Sequence, residues 1–118
     1  MVGLVGDIGS GKTTFIQGLA EGIGVSSRVN SPTFIIMKQY NLINNHKSAI
    51  TYFYHVDLYR LEVNLRDEVE NLGLLDIILE GKSIVVIEWA ERIKDMLPSK
   101  TRWLFFQNIS ENERKITL

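Results

Sequence analysis

Runs of apolar residues divide the chain into strands and helices that alternate along the sequence. Val2 to Val5 predicts a first strand, and Thr13 to Ala20 has the periodicity of a helix, which should end near Gly22 or Gly24. Ser83 to Ile87 is an almost continuous β-branched run, which is typical of a strand buried on both faces. This pattern predicts an α/β fold with a mixed, mainly parallel β-sheet flanked by helices.

The middle of the chain predicts an antiparallel hairpin inserted into that sheet. Phe34 to Leu42 and Ala49 to Val56 are rich in aromatic and β-branched residues, and the polar stretch Asn44 to Lys47 separates them. Farther along, Leu65 to Leu72 has the spacing of a helix, and Gly73 is expected to end it.

The last third predicts a short helix and a second pair of strands. Glu91 to Leu97 should be helical and should end at Pro98, because proline cannot continue a helix. Trp103 to Gln107 and Lys115 to Leu118 should be strands on either side of a polar turn.

Composition favours a single domain over residues 1–118, since 45% apolar content is enough for one packed core at this length. The formal net charge of −1 argues against an extended basic surface for nucleic acid. The lack of cysteine excludes disulfides and thiolate metal sites. The sequence shows neither a secretory signal nor an apolar run of about 20 residues, so we expect a soluble, cytoplasmic protein with no membrane partner.

The segment between the first strand and the first helix carries the most specific pattern. Residues 6–13, here called the phosphate loop, read Gly-Asp-Ile-Gly-Ser-Gly-Lys-Thr and match G-x-x-x-x-G-K-[ST] at every fixed position. In this pattern, glycines let backbone N–H groups turn towards phosphates, Lys12 would reach the terminal phosphates, and the Thr13 hydroxyl would hold Mg²⁺. A glycine-rich turn without a ligand is the less favoured alternative. The loop predicts nucleotide binding.

Two acidic residues follow strands and are candidates for chemistry beside the loop. Glu88 ends the buried run that starts at Ile84, where proteins with a phosphate loop carry a second acid for Mg²⁺, and this role is favoured over a solvent-facing or helix-capping glutamate. Asp57 could orient water or could cap a helix over Leu58 to Glu62, and the local sequence favours neither. His55 is expected to be a packed or surface histidine rather than an acid or base.

Two other features are ambiguous from the residues alone. Ser31-Pro32-Thr33 comes about twenty residues after Lys12, where many proteins with a phosphate loop place a segment that responds to the γ-phosphate. An ordinary turn is the favoured interpretation, because turns use these residue types. Trp89 is expected either to pack or to serve a partner surface.

Four motifs together identify a resemblance that covers most of the chain, from the first strand to about Arg92. They are Gly-Asp-Ile-Gly-Ser-Gly-Lys-Thr-Thr at 6–14, Ser-Pro-Thr-Phe at 31–34, His-Val-Asp-Leu-Tyr-Arg-Leu at 55–61 and Ile-Glu-Trp-Ala-Glu-Arg at 87–92. Their order resembles that of the bacterial TsaE family, the small ATPases of tRNA threonylcarbamoyladenosine biosynthesis. The Asp-Leu-Tyr-Arg-Leu and Glu-Trp elements are together far more specific than the phosphate loop alone.

The resemblance implies a P-loop NTPase-like fold and an ATPase that uses ATP and Mg²⁺ and works with two partner proteins, TsaB and TsaD. TsaD transfers the threonylcarbamoyl group to adenosine 37 of tRNA, so the tRNA is reached indirectly. Lys12, Asp57 and Glu88 would be catalytic, Thr13 with Glu88 would hold Mg²⁺, and residues 31–33 would act as a nucleotide-sensitive switch. The implied nucleotide-binding residues are Gly6, Gly9, Ser10, Gly11, Lys12, Thr13 and Thr14.

The chain departs from the family at its start. Members carry a strand and a helix before the phosphate-loop strand, whereas this sequence begins with Met1-Val2. A start codon assigned too late, a truncated chain and a naturally short member all fit this observation. Part of the base-binding side of the nucleotide site is expected to come from that segment. Arg114 is a candidate for a basic nucleotide contact.

Three other classes share the phosphate loop. A small-molecule kinase needs an acceptor pocket and usually an arginine-bearing lid, for which the chain has little room. A GTPase is not supported, because the chain has no Asn/Thr-Lys-x-Asp segment to read guanine. A non-hydrolysing nucleotide-dependent adaptor stays open. Intrinsic turnover is expected to be slow, because no water-positioning glutamine or arginine finger can be identified.

Overall fold

The computed structural model describes residues 1–25, 27–29, 36–42 and 50–118. Within these ranges the chain forms six strands, three α-helices and one 3₁₀ helix. In chain order they are β1 (Val2–Val5), α1 (Lys12–Ile23), β2 (Met37–Asn41), β3 (Tyr52–Asp57), α2 (Leu65–Asn71), α3 (Leu74–Glu80), β4 (Ser83–Glu88), the 3₁₀ helix (Ala90–Met96), β5 (Arg102–Asn108) and β6 (Arg114–Thr117).

All six strands join one sheet in the order β2-β3-β4-β1-β5-β6. The four central strands β3, β4, β1 and β5 are parallel to one another, whereas the edge strand β2 is antiparallel to β3 and the edge strand β6 is antiparallel to β5. The mixed, mainly parallel sheet predicted from the sequence is therefore confirmed. The two antiparallel pairs lie at its edges, where they do not interrupt the parallel core.

The sheet separates two apolar cores, and strand alternation decides which side chains enter each one. On the face covered by α1, Leu4, Phe53 and Val86 pack against Ile16 and Ala20 of the helix. On the face covered by α2 and α3, the core contains Val56, Val69, Leu74, Val85 and Ile87. Because side chains alternate along a strand, His55 shares the α1 face with Phe53, and Glu88 shares it with Val86. These polar residues therefore lie where α1 begins.

The predicted helix ends are partly confirmed. Helix α1 ends at Ile23, and Gly24 adopts a left-handed conformation with φ 93°, which lets its N–H reach carbonyls of the last turn. Helix α2 matches its prediction, but α3 was not predicted. Gly73 does end α2, and it is also the left-handed residue from which α3 starts. Residues 90–96 form a 3₁₀ helix with a kink at Ile93 rather than a regular α-helix.

Two predictions fall on residues outside the described ranges. The Ser31-Pro32-Thr33 segment lies there, and so do the hairpin loop and the first two residues of the strand predicted from Phe34. In the part of the chain that the structure describes, no helix is long and apolar enough to span a bilayer.

Candidate functional site

The predicted catalytic and nucleotide-binding residues, except Gly6, meet in one cleft at the carboxyl ends of the parallel strands. Asp57 of β3 is the register partner of Glu88 of β4, and Glu88 is also paired with Leu4 of β1, just before the phosphate loop. The edge where parallel strands end is the usual ligand site of such sheets. The cleft has a volume of about 730 Å³. It is lined by Asp7, Ile8, Gly9, Ser10, Gly11, Lys12, Thr13, Thr14, Phe15, Asp57, Tyr59, Glu88, Trp89, Phe106, Glu111, Asn112, Arg114 and Ile116.

The phosphate loop has a backbone shape that other residues would not tolerate. Gly11 adopts a left-handed conformation with φ 99° immediately before α1. A Cβ atom at Gly6 would lie 2.7 Å from the carbonyl oxygen of Phe106. No side chain caps the amino terminus of α1, so its first N–H groups are available to an anion. Ser10 Oγ is buried and has no hydrogen-bond partner among the described residues. The loop therefore fits a phosphate group.

Lys12 places a buried ammonium group at the floor of the cleft. Its side chain is 5% exposed, and Nζ donates to the carbonyl oxygens of Gly6 and Asp7. Nζ also lies 4.3 Å from the centre of the Trp89 ring. Burial lowers the pKa of Lys12 from its ordinary value, and nearby carboxylates, chiefly that of Glu88, oppose this effect. The phosphate loop thus holds the ammonium close enough to Glu88 for the two charges to interact.

Glu88 connects the loop to the neighbouring strand. Its side chain is buried, Oε1 accepts a hydrogen bond of 3.4 Å from Thr13 Oγ1, and Oε2 lies 2.7 Å from His55 Nε2. The structure therefore brings the proposed metal pair, Thr13 and Glu88, into contact.

The donor chemistry of this pair fits Mg²⁺ bound together with phosphates. Among the described residues, no group of three or more His, Cys, Asp or Glu side chains could hold a metal ion. Mg²⁺ in nucleotide sites is usually bound by one or two protein oxygen ligands together with substrate phosphates and water. The Thr13 hydroxyl and the Glu88 carboxylate are ligands of this kind, and the loop next to them fits a phosphate.

Asp57 stands at the end of β3 as part of a turn rather than as a helix cap. Oδ1 accepts a hydrogen bond of 3.0 Å from the Tyr59 N–H, and residues 58–62 are not helical. Its own N–H donates to the Ile36 carbonyl at 2.8 Å, so β2 approaches the cleft beside it. Burial raises the pKa of Asp57 above its ordinary value. The hydrogen bond from the Tyr59 N–H lowers this pKa, whereas the charge of Glu88 raises it further.

Replacing Asp57 by asparagine should raise the free energy of unfolding near neutral pH in nucleotide-free, chelator-treated protein. Because the folded-state pKa is raised, the folded protein holds this proton more tightly than the unfolded chain does. Stability is therefore lost as pH rises from the unfolded pKa through the folded one. Urea unfolding from about pH 3 to pH 8 should show a difference between variant and wild type that is smallest at low pH and then grows. A constant difference would contradict the raised pKa.

Four aromatic residues line the cleft, and none of them was among the predicted site residues; two of them, Trp89 and Tyr59, lie close to each other. Trp89 has a left-handed backbone with φ 61°, which is uncommon for a bulky residue, and its N–H donates to the Leu4 carbonyl. This geometry directs its ring towards Lys12 and to 5.2 Å from the Tyr59 ring. The sequence alone allowed two roles for Trp89, packing within the protein or contact with a partner. Its place directly after Glu88 was the available signal.

Two arginines brace the loops around the cleft. Arg114 donates through Nε to the Gly9 carbonyl at 3.1 Å and through Nη1 to the Ser110 carbonyl at 2.8 Å, so it ties the β5–β6 turn to the phosphate loop. Arg92 donates to backbone carbonyls in the turn 58–61. Through this contact, the motif at 87–92 supports the backbone of the motif at 55–61.

Comparisons with known proteins agree on one family. Residues 1–116 match the family described as "Threonylcarbamoyl adenosine biosynthesis protein TsaE". A tRNA threonylcarbamoyladenosine biosynthesis protein TsaE from Bacillus subtilis is 42% identical over 97% of this chain, and one from Treponema pallidum is 34% identical over the whole chain. A crystal structure of Bacillus subtilis YdiB has a TM-score of 0.66 and 31% identity, and the match covers 98% of this chain and 64% of that one.

The chain spans 65% of the length of the Bacillus subtilis relative and 80% of the Treponema pallidum one. The chain has a P-loop NTPase-like fold, as predicted, and the phosphate loop follows the central strand β1 of its sheet.

Proposed function

Because the chain belongs to the TsaE family of tRNA threonylcarbamoyladenosine biosynthesis, we propose that it binds and hydrolyses ATP in a Mg²⁺-dependent reaction. In this proposal residues 1–118 form a single P-loop ATPase domain. It acts in the cytoplasm as an accessory protein to TsaB and TsaD during modification of adenosine 37 of tRNA.

The observation that carries the proposal is the grouping of phosphate-binding groups and metal-binding oxygens in one cleft. The glycine-rich backbone and the amino terminus of α1 offer N–H groups, Lys12 offers an ammonium, and Thr13 with Glu88 offers a hydroxyl beside a carboxylate. Phosphoryl transfer needs little beyond positioning and charge stabilisation, and these groups supply both.

Each residue has a definite task in this proposal. The phosphate loop, from Gly6 through Gly9, Ser10 and Gly11 to Thr14, binds the phosphates, and Lys12 stabilises charge on the terminal phosphate oxygens. Thr13 and Glu88 would hold Mg²⁺, which would neutralise part of the phosphate charge when bound. Asp57 lies in the same cleft with a raised pKa, which suits a group that orients water and takes its proton.

Charge supports an indirect route to tRNA. A net charge of −1 lacks the basic excess that tight RNA binding usually needs. Contact with tRNA through TsaB and TsaD therefore fits the composition better than direct binding.

Addition of TsaB and TsaD is expected to raise the rate of ATP hydrolysis by the chain, and adenosine modification should then depend on ATP and Mg²⁺. The experiment mixes the chain with both partners, tRNA and a threonylcarbamoyl donor, and follows released phosphate and modified adenosine. Omission of each partner in turn is the control. If the rate of ATP hydrolysis does not change when the partners are added, and a small acceptor becomes phosphorylated, the result would instead indicate a kinase. Nucleotide binding that supports modification without any hydrolysis would indicate an adaptor.

A further inference from the structure

We propose that His55 is a positioning residue that holds the Glu88 carboxylate in the orientation needed for Mg²⁺. The inference rests on the proposed function, because it assigns a second residue to the same metal site. It concerns a side chain that would not itself touch the nucleotide or the metal.

The hydrogen bonds of Glu88 are unequal, and the shorter one comes from His55. His55 Nε2 lies 2.7 Å from Oε2, whereas Thr13 Oγ1 lies 3.4 Å from Oε1. Both partners of the shorter bond are buried, with side-chain exposures of 0% for His55 and 5% for Glu88. A short bond between two buried groups fixes the plane of the carboxylate more firmly than a long one does. His55 therefore sets the direction of the oxygen that faces Thr13.

The chemistry of the pair also fixes the form of the imidazole. A carboxylate oxygen accepts a hydrogen bond from an N–H group, so in this assignment Nε2 is the ring nitrogen that donates to Oε2. Nδ1 is buried and finds no partner among the described residues. In the part of the chain that the structure describes, one ring nitrogen is therefore bonded to Glu88 and the other has no partner.

Packing alone does not account for a histidine at this position. Its neighbours on the α1 face, Phe53 and Val86, are fully buried and apolar. An apolar residue would fill the same space without burying an unpaired polar atom, which costs free energy. The bond to Glu88 is the contact that an apolar residue could not make. Groups that orient metal ligands in this way typically change metal affinity by about 10- to 100-fold when they are removed.

The test compares His55→Gln, His55→Asn and His55→Leu. The glutamine amide can reach the position of Nε2 and donate to Glu88, the asparagine amide is too short to do so, and leucine cannot donate. Mn²⁺ is the probe, and its binding in the presence of ADP is measured by electron paramagnetic resonance. The Mg²⁺ concentration for half-maximal ATP hydrolysis is a second measurement, and ADP affinity in excess chelator is the control.

His55→Asn and His55→Leu should weaken Mn²⁺ binding by about 10- to 100-fold and raise the Mg²⁺ requirement to match, while ADP affinity in chelator stays unchanged. His55→Gln should stay close to the wild type. If His55→Leu does not fold, the glutamine and asparagine variants decide, since both carry the same amide group.

Two results would overturn the assignment. If His55→Asn binds Mn²⁺ as tightly as the wild type does, His55 does not position the metal ligand Glu88. Equal weakening in the glutamine and asparagine variants would mean that the shape of the ring, and not its hydrogen bond, matters. If the wild type itself binds no Mn²⁺ with ADP, the proposed function fails first, so the two failures are distinguishable.

Discussion

Lys12→Ala should lower the rate of Mg²⁺-ATP hydrolysis by about 10²- to 10³-fold, the range found when a single charge-stabilising donor is removed from an active site. The substitution deletes a buried ammonium that lies in the cleft among the phosphate-loop carbonyls. An alanine offers no charge to the terminal phosphate in the transition state. Single-turnover hydrolysis with excess protein measures the effect without interference from product release.

Lys94→Ala is a matched control for this prediction. Lys94 also places its ammonium over a tryptophan, 5.8 Å from the centre of the Trp103 ring, but it is exposed and does not line the cleft. Its replacement should leave hydrolysis near the wild-type rate. If the Lys12→Ala protein hydrolyses ATP as fast as the Lys94→Ala protein, Lys12 takes no part in the reaction.

Asp57→Asn should lower hydrolysis by about 10²- to 10⁴-fold, the usual contribution of a positioned acid or base, while nucleotide affinity changes little. Asparagine keeps an oxygen that can accept the Tyr59 N–H, so the turn at the end of β3 is retained. It loses the negative charge and the ability to take a proton from water. Equilibrium binding of a fluorescent ATP analogue and single-turnover hydrolysis separate the two effects.

Asp67→Asn provides the comparison, because Asp67 is exposed in the first turn of α2 and lies outside the cleft. Its replacement should change neither measurement. Loss of nucleotide affinity in Asp57→Asn that matches the loss of hydrolysis would assign Asp57 to binding rather than to the chemical step.

The sequence predicted those parts of the site that depend on local pattern. The phosphate loop has a fixed spacing, so its glycines, Lys12 and Thr13 could be placed without knowledge of the rest of the chain. Glu88 could be placed because a β-branched run predicts a buried strand, and the end of such a strand predicts the edge of a parallel sheet.

Features that depend on register could not be predicted in this way. The contact between His55 and Glu88 requires β3 and β4 to be neighbours in the observed alignment, which pairs Asp57 with Glu88. No local pattern gives that alignment. Helix α3 was missed for a different reason, because Gly73 both ends one helix and starts the next, whereas a glycine after a periodic segment indicates only an end.

The position of β1 in the sheet has a consequence for folding. Val2 pairs with Val86 on one side and with Arg102 on the other, so both neighbours of β1 come from segments far along the chain. Pairing between such distant segments is slow, because a long stretch of chain must be ordered before any contact stabilises it. The phosphate loop is therefore expected to acquire its shape only when β4 and β5 have docked against β1, and ATP would stabilise the finished sheet rather than a partly formed one.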